Sequence, residues 1–264
     1  MIIVGNIDQT FVMRPDGKLV LQSRLNNAIN PEFDLWIQAK DTVSGLSAYR
    51  NLAITVRDEN DHAPVFEQAL YTATVQEQES IFGSKPLVRV KANDADSGVF
   101  GQVTYRLVSG NIDNPFILSD DGTLSLTKQL DRETIPRYHV VIEAKDGGDL
   151  TSTTIVIIDV TDINDNFPRF TSSYRWQAAE DLPVGSLLSS VHASDADVGI
   201  NARIVYALET PSDQFDITDT GNITIKSKLD RETQPSYSLI VSARNQGESN
   251  LLSGTTSVLI TVSN

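Results

Sequence analysis

Residues 162–170 read Asp-Ile-Asn-Asp-Asn-Phe-Pro-Arg-Phe, and residues 58–64 read Asp-Glu-Asn-Asp-His-Ala-Pro. The two stretches match at an offset of 104 residues. A second motif, Leu-Asp-Arg-Glu-Thr at 130–134, recurs at 229–233 with an offset of 99 residues. Self-similarity at a fixed period is typical of proteins built from repeated domains. The sequence therefore predicts domains of about 100 residues joined by short linkers rich in Asp, Asn and Pro.

The repeat period also sets the predicted domain boundaries. Asp-Ala-Asp at 94–96 recurs at 195–197, an offset of 101 residues. We predict complete domains at 65–168 and 169–264. Residues 1–64 align with the second half of a domain at an offset of 105 residues, so the first domain is expected to be incomplete. Either the sequence is a fragment, or another chain supplies the missing strands and covers the open edges.

Composition excludes several classes of protein. The chain has 264 residues, no cysteine, 35 acidic against 21 basic residues, and a net charge of −14. This charge would repel the phosphates of nucleic acid, so we expect no nucleic-acid partner. The absence of cysteine excludes disulfides and thiolate metal sites. The longest aliphatic run of the chain, Ile155 to Ile158, is far shorter than the ~20 residues of a membrane span. We therefore expect no membrane segment in this sequence.

Alternating apolar residues predict β-strands. Tyr138, Val140, Ile142 and Ala144 would share one buried face, and 153–160 is rich in Thr, Val and Ile. No sustained helical periodicity is present. We predict an all-β fold of tandem seven-stranded Greek-key β-sandwiches with an immunoglobulin-like layout, the first repeat being incomplete.

Acidic residues should converge where two sandwiches meet, because the loops of a sandwich collect at its ends. Such a cluster would carry a charge of −7 and would repel itself without cations. Ca²⁺ binds six to eight oxygen atoms and fits this set better than Mg²⁺, which demands tight octahedral geometry, or Zn²⁺, which prefers Cys and His. The seven carboxylates are Glu77, Asp131, Glu133, Asp162, Asp165, Asp195 and Asp197.

Together these motifs resemble the calcium-binding motifs of cadherin extracellular repeats, and the resemblance covers nearly the whole chain. It implies up to three Ca²⁺ at the 162–168 linker. The first two ions would use Glu77, Asp131, Glu133, Asp162, the carbonyl of Ile163, Asp165 and Asp197. The third would use Asn164, the carbonyl of Asn166, Asp195, Asp197, the carbonyl of Asn201, and Asn245 at a position where the family has aspartate.

The 58–64 linker departs further from the cadherin pattern. The Leu-Asp-Arg-Glu motif is replaced by Leu25-Asn26-Asn27-Ala28, which removes the bridging carboxylates. The resemblance therefore implies one ion or none there, and a bent or flexible joint. The residues kept for the third ion are Asn60, Asp94, Asp96 and Asp146.

The family resemblance implies calcium-dependent cell–cell adhesion at the cell surface, through homophilic or heterophilic binding of another cadherin ectodomain. The parent protein would be extracellular and anchored by a single membrane pass. Two alternatives stay open: a structural spacer or mechanical tether, and a receptor for a non-cadherin ligand. Asp131 and Glu133 could form a glycosidase acid–base pair, but their duplication at 230 and 232 without a cleft signature argues against an enzyme.

Four further residues are singled out by the sequence. Asn222 begins a glycosylation sequon beside a predicted turn. Trp36 falls on the outward face of its strand, where it marks a partner surface or a contact with the neighbouring domain or the missing strands. Trp176 shares the parity of core positions, and His139 is expected at the surface.

Overall fold

The structure is a computed structural model, and it describes residues 1–27, 29–81, 83–246 and 252–264. Ala28, the last residue of the stretch that replaces the Leu-Asp-Arg-Glu motif, lies outside the described residues. The chain divides into two compact units. One comprises Met1–Thr74, Ser80–Gln129 and Arg137–Asp159, and the other comprises Val75–Glu79, Leu130–Pro136 and Val160–Asn264. The predicted boundaries at 64 and 168 stay predictions.

The described residues are almost entirely β-strand and loop, as predicted. The helical segment Ile7–Gln9 is a single 3-10 turn. Within the described ranges, the fold offers no helix of the length and apolarity that a membrane crossing requires. The first five strands are β1 (Ile2–Val4), β2 (Phe11–Met13), β3 (Leu19–Leu21), β4 (Glu32–Lys40) and β5 (Ser47–Thr55).

These five strands form two small sheets in the first unit. One sheet has the order β1-β4-β5, and β2 pairs with β3 in the other. The two sheets enclose an apolar cluster built on Phe11, Phe33, Leu35 and Val56. The rings of Phe11 and Phe33 meet edge to face, with centroids 5.0 Å apart.

The next nine strands form a sandwich of the predicted kind. One sheet has the order β10-β13-β14-β7, the second β11-β12-β8, and β6 pairs with β9. The strands are β6 (Val65–Phe66), β7 (Leu70–Gln76), β8 (Lys85–Arg89), β9 (Ala92–Asn93), β10 (Thr104–Ser109), β11 (Phe116–Leu118), β12 (Thr123–Leu126), β13 (Arg137–Lys145) and β14 (Thr151–Thr161).

The second unit repeats this topology strand for strand. Its sheets have the orders β16-β23-β22-β19 and β17-β21-β20, and β15 pairs with β18. Seven strands of three or more residues thus make each sandwich, which confirms the predicted strand number. The strands are β15 (Arg169–Phe170), β16 (Tyr174–Ala179), β17 (Leu187–Ser190), β18 (Ala193–Ser194), β19 (Ile204–Leu208), β20 (Phe215–Ile217), β21 (Asn222–Ile225), β22 (Ser236–Asn245) and β23 (Ser253–Ser263).

Side-chain alternation explains why these segments are strands. Tyr138, Val140, Ile142 and Ala144 all lie buried on one face of β13, as predicted from their spacing. His139, between two of them, is exposed. The β-branched residues of β14 fit the pleated, half-buried surface on which they lie.

The core of the second unit draws on both of its sheets. Ala178 of β16, Phe215 of β20 and Val258 of β23 belong to one buried apolar cluster. Trp176 is partly buried and packs against this cluster, which confirms its predicted parity. Trp36, by contrast, is 43% exposed on β4 and faces outward, as predicted.

Candidate metal centre

The carboxylates around the 162–168 linker come from loops at the ends of strands. Glu77 directly follows β7, and Glu133 lies in the turn 130–134 that precedes β13. Asp197 follows the short strand β18. All of these residues belong to the second unit, so the site lies within one compact body.

Two overlapping groups of carboxylates form at this linker. Oxygen atoms of Glu77, Glu133 and Asp165 all lie within 4.8 Å of one another. Glu133, Asp162 and Asp197 form a second group of the same size. Glu133 belongs to both groups, so the two sets share one bridging carboxylate. Five of the seven carboxylates singled out from the sequence are brought together in this way.

Glu77 is the most deeply buried member of the site. Its side chain is fully shielded from solvent. The backbone N–H of Arg132 donates to Glu77 Oε2 at 2.8 Å, and the N–H of Ile163 donates to Oε1 at 2.9 Å. These two donors fix the carboxylate between the 130–134 turn and the start of the linker.

Arg132 places a cation among the carboxylates. Its guanidinium pairs with Asp162 and with Glu133, and Nε lies 4.0 Å from Glu77 Oε1. Its Nη2 also donates to the carbonyl oxygen of Ala196 at 2.8 Å. The sequence analysis did not predict this role of Arg132. It treated the Leu-Asp-Arg-Glu motif as a source of carboxylates and did not consider ion pairs between its arginine and those carboxylates.

Burial and like charge shift the acid equilibria of the site. Desolvation raises the pKa of Glu133 to about 7, and the charge of Glu77 adds to the rise. Desolvation also raises the pKa of Asp165, with a further contribution from Glu77. Asp197 shows the same direction, because burial raises its pKa despite a hydrogen bond from Asn166. The carboxylates therefore crowd together at a cost that a bound cation would relieve.

Asp131 is a member of neither group, although its side chain also interacts with Glu133. Its carboxylate accepts hydrogen bonds from the N–H and the hydroxyl of Thr134, at 3.2 and 2.8 Å. The hydrogen bond from the Thr134 side chain lowers the pKa of Asp131. This local bond closes the 130–134 turn, so Asp131 acts first as the residue that shapes the loop carrying Glu133.

The residues expected at a third ion also gather in the second unit. Asn245 donates from Nδ2 to Asp195 Oδ2 at 2.9 Å and to the carbonyl oxygen of Asn201 at 2.5 Å. Asp195 Oδ1 accepts the N–H of Asp197 at 2.9 Å. Asn166 Nδ2 donates to Asp197 Oδ1 at 2.8 Å. Asn164 is buried, and the carbonyl of Ile163 accepts the N–H of Asp165.

A related set surrounds the 58–64 linker in the first unit. Asn60 Nδ2 lies 3.2 Å from Asp146 Oδ1. His62 donates its backbone N–H to Asp96 Oδ2 at 3.0 Å, and its Nδ1 lies 2.7 Å from Asp96 Oδ1. The hydrogen bond with Asp96 raises the pKa of His62, as does the charge of Asp61. His62 thus takes the structural position that Asn166 has at the other linker.

Buried oxygen atoms test whether these residues fit a metal ion. Asn60 Oδ1, Asp94 Oδ2, Asp146 Oδ2 and Asn245 Oδ1 are each buried without a hydrogen-bond partner in the described structure. Buried acceptors of this kind are costly unless something else satisfies them. The donor atoms are carboxylate, amide and carbonyl oxygens, which hard cations such as Ca²⁺ prefer. The residues present therefore fit calcium.

A third carboxylate group was not predicted as a ligand set. Glu180, Asp230 and Glu232 bring oxygen atoms within 4.8 Å of one another. The backbone N–H of Arg231 donates to Glu180 Oε2 at 3.2 Å, as Arg132 does to Glu77. The internal repeats could have predicted this group. Glu180 lies 103 residues after Glu77, and the motif at 229–233 lies 99 residues after the motif at 130–134.

Known proteins are similar to this chain in sequence and in fold. A family model, the cadherin domain, matches residues 71–161 and 174–263. The chain belongs to the cadherin family. This finding confirms the resemblance inferred from the motifs, and the all-β tandem sandwiches agree with it.

Long cadherins are among the relatives of this chain. Mouse protocadherin Fat 4 is 38% identical over 269 residues, covering 99% of this chain and 5% of its own length. Human protocadherin-16 is 34% identical over 266 residues, covering 98% of this chain and 8% of its own length. The chain therefore spans less than a tenth of either relative.

Solved cadherin structures have the same architecture. Mouse cadherin-23 EC22-24 matches with a TM-score of 0.83 at 29% identity, covering 94% of this chain and 79% of that one. Protocadherin gammaB7 EC3-6, solved as a cis-dimer, matches with a TM-score of 0.87 at 28% identity, covering 100% of this chain and 66% of that one.

The predicted glycosylation site lies at the start of a strand. Asn222 is the first residue of β21, opposite Ser190 of β17. Its Oδ1 accepts a hydrogen bond from the Ser190 hydroxyl at 2.6 Å, and its side chain is half-buried. Glycosylation of Asn222 stays a prediction.

Proposed function

We propose that this chain is part of an extracellular cadherin ectodomain whose repeats are held in order by Ca²⁺. The observation that carries the proposal is the sharing of Glu133 between two carboxylate groups at the 162–168 linker. Six to eight oxygen ligands per ion can be drawn from this crowded set only if neighbouring ions share carboxylates. The family assignment favours binding over catalysis.

Each group of residues has a defined part in this proposal. Glu77, Glu133 and Asp165 would hold one ion, and Glu133, Asp162 and Asp197 a second, with Asp131 and the carbonyl of Ile163 completing the shells. A third ion would use Asn164, Asn166, Asp195, Asp197, Asn201 and Asn245. Bound Ca²⁺ would supply positive charge that ties the linker to the loops on either side of it.

The first linker should bind calcium less fully. At the offset of 105 residues, the sequence has Asn26 in place of Asp131 and Ala28 in place of Glu133, so the bridging carboxylate is lost. The unpartnered oxygens of Asn60, Asp94 and Asp146 nevertheless remain, and Asp96 lies beside them. We infer one ion at most at this linker.

The wider function we propose is calcium-dependent adhesion to another cadherin ectodomain at the cell surface. Calcium binds the ordered linker better than a loose one, so it shifts the population toward the ordered form. Extracellular modules bind calcium at roughly 10⁻⁴–10⁻³ M. The relatives support this proposal, since they are protocadherins, and the protocadherin gammaB7 structure is a dimer.

Calcium titration by isothermal calorimetry tests the proposal. We expect three or four ions per chain, and fewer in the Asp165→Asn variant, because that carboxylate belongs to the first group. Asp213→Asn is the matched control, since Asp213 is exposed and lies outside every carboxylate group described above. Absence of calcium binding at millimolar concentration, or equal loss in both variants, would contradict it.

A further inference from the structure

Arg132 connects three segments that meet at the 162–168 linker. The residue lies in the turn before β13, and its guanidinium contacts Glu133 in the same turn and Asp162 at the start of the linker. Its Nη2 donates to the carbonyl oxygen of Ala196, in the loop after β18, at 2.8 Å. The side chain is only 12% exposed. These contacts hold the turn, the linker and the loop together through a single positive charge.

The hydrogen bonds of Asp162 show that the guanidinium and a metal ion would use the same oxygen atom. Asp162 Oδ2 accepts hydrogen bonds from the backbone N–H of Val198 at 3.2 Å and from Asn201 Nδ2 at 2.9 Å. Asp162 Oδ1 accepts the hydrogen bond from Arg132 Nε. A carboxylate offers about two lone-pair positions on each oxygen. Because Oδ2 already has two donors, Oδ1 is the atom that remains for a cation, and the guanidinium lies against it.

Glu133 is subject to the same conflict. It is the carboxylate shared by both groups, and Arg132 Nη2 pairs with its Oε1. The arginine therefore contacts two of the three members of the group formed by Glu133, Asp162 and Asp197. A guanidinium and a divalent cation on the same two carboxylates would repel each other strongly in this partly buried place. Arg132 and a bound ion are thus alternatives at this group.

The internal repeat has the corresponding arginine in a more open setting. Arg231 Nη2 pairs with Glu232 at 2.7 Å, and its Nε donates to Asn264 Oδ1. The Arg231 side chain is 41% exposed, against 12% for Arg132. Arg231 meets a neutral amide at Asn264, whereas Arg132 meets the carboxylate of Asp162. The enclosed arrangement with two carboxylates is therefore a property of Arg132 and not of the motif alone.

We propose that Arg132 is an internal counter-cation, which a calcium ion must displace from Glu133 and Asp162 before it can bind there. The inference rests on the calcium binding proposed above and adds a residue that determines its affinity. In the calcium-free chain the arginine offsets part of the carboxylate repulsion and keeps the linker ordered. Calcium binding sacrifices the arginine's contacts, so the affinity is lower than the carboxylates alone would give. Arg132 thus raises the calcium concentration at which the second group fills.

Hydrogen exchange of the Arg132 side chain tests the displacement in the unaltered chain. The Nε–H signal is assigned by triple-resonance NMR, and its exchange rate is measured in chelator and in saturating calcium. We expect slow exchange in chelator, because this N–H is bonded to Asp162 and the side chain is largely shielded from water. Bound calcium should speed the exchange by about tenfold or more. Unchanged or slower exchange in calcium would overturn the proposal, because the arginine would then stay in place.

Calcium titration of two charge-matched variants tests the effect on affinity. Arg132→Gln removes the competing cation, and Arg106→Gln removes an exposed arginine that pairs with Glu143 outside the carboxylate groups described above. Both variants change the net charge by the same amount. We expect Arg132→Gln to bind calcium on the order of tenfold more tightly than the unaltered chain, a factor that about one charged hydrogen bond can supply. Arg106→Gln should stay within about twofold, since salt screens a distant surface charge.

The outcomes separate this inference from the proposed function. Weaker or unchanged calcium binding by Arg132→Gln would mean that the arginine does not compete with the ion, and equal gains in both variants would mean that only net charge matters. Either result overturns the inference while calcium binding stands. Absence of calcium binding in all three proteins would contradict the proposed function, and this inference with it. If Arg132→Gln does not fold, the exchange measurement on the unaltered chain decides.

Discussion

At the scale of single residues, the site depends on side chains shared between partners. Glu133 belongs to two carboxylate groups and also pairs with Arg132. Glu77 is fully buried yet receives two backbone N–H bonds. A buried carboxylate without partners would lower the stability of the fold. The ion pair of Glu133 and the hydrogen bonds of Glu77 offset that cost. The internal repeat supplies a natural control for Arg132 and Glu133, since Arg231 and Glu232 occupy the same motif positions with greater exposure.

Glu133 should make calcium binding sensitive to pH. Burial raises its pKa to about 7, so the carboxyl is protonated in a growing fraction of molecules as the pH falls through 7. A protonated carboxyl must lose its proton before it can bind a cation. We expect calcium affinity, measured by calorimetry, to fall between pH 8 and pH 6. Glu133→Gln should reduce this dependence, and Glu232→Gln should leave it intact; a flat profile in the wild type would refute the assignment.

Arg132 should stabilise the fold when calcium is removed. Its side chain is only 12% exposed and pairs with Asp162 and Glu133. In chelator we expect Arg132→Gln to lower the free energy of unfolding by about 1–3 kcal/mol, since hydrogen bonds to charged groups are lost. Arg231→Gln should cost less than about 1 kcal/mol, because its 41% exposed ion pair is screened by water. Urea denaturation gives both values, and equal costs would contradict this role.

At the scale of elements, a strand's two faces determine what each residue contributes. β22 buries Tyr237, Leu239 and Val241 while Ile240 points outward. β23 buries Val258 and Ile260 on its inner face. β5 has a comparable sequence pattern, but its inner face is only partly covered. The same pattern of residues therefore has different energetic value according to what packs on it.

Two isoleucines of the second unit allow the energetic value of a buried and an exposed strand position to be compared. Ile260 is fully buried, and Ile240 is 47% exposed on the neighbouring strand. Ile260→Ala should lower the free energy of unfolding by about 2–5 kcal/mol, since it leaves a cavity in the core. Ile240→Ala should cost less than about 1 kcal/mol. Chemical denaturation of both variants checks the prediction, and similar losses would mean that the core assignment is wrong.

At the scale of the whole molecule, we expect the stability of the chain to depend on bound cations. Its net charge is −14, and several of its carboxylates lie in groups. Anything that binds the folded form alone stabilises it by mass action. If calcium binds as proposed, it stabilises the folded linkers in this way. A structural spacer would also depend on calcium for its order, but it would not bind a second cadherin ectodomain.

Sedimentation separates adhesion from a spacer role. The homophilic form of the proposal predicts self-association in calcium that increases with protein concentration, and a monomer in chelator. Trp36, exposed on β4, is the aromatic side chain to test, with Trp36→Ser expected to weaken any contact that uses it. A monomer in both conditions would favour the spacer.

The sequence by itself determined the repeat period, the strand alternation in segments such as 138–144, and the motifs that indicated a cadherin. These are local patterns. A side-chain periodicity of two and a fixed spacing between motifs can both be read directly from the linear sequence. The sequence also predicted seven carboxylates that would meet at the 162–168 linker, because the loops of a sandwich collect at its ends, and five of them lie in the two groups.

Only the tertiary structure decided how those residues are used. It placed Arg132 among the carboxylates, kept Asp131 on Thr134, and brought Glu180, Asp230 and Glu232 together. It also left Leu52 of β5 39% exposed, whereas Val258 of β23 is fully buried. Burial, pKa shifts and ion pairing arise from groups distant in sequence, and the one-dimensional pattern does not contain the distances that determine them.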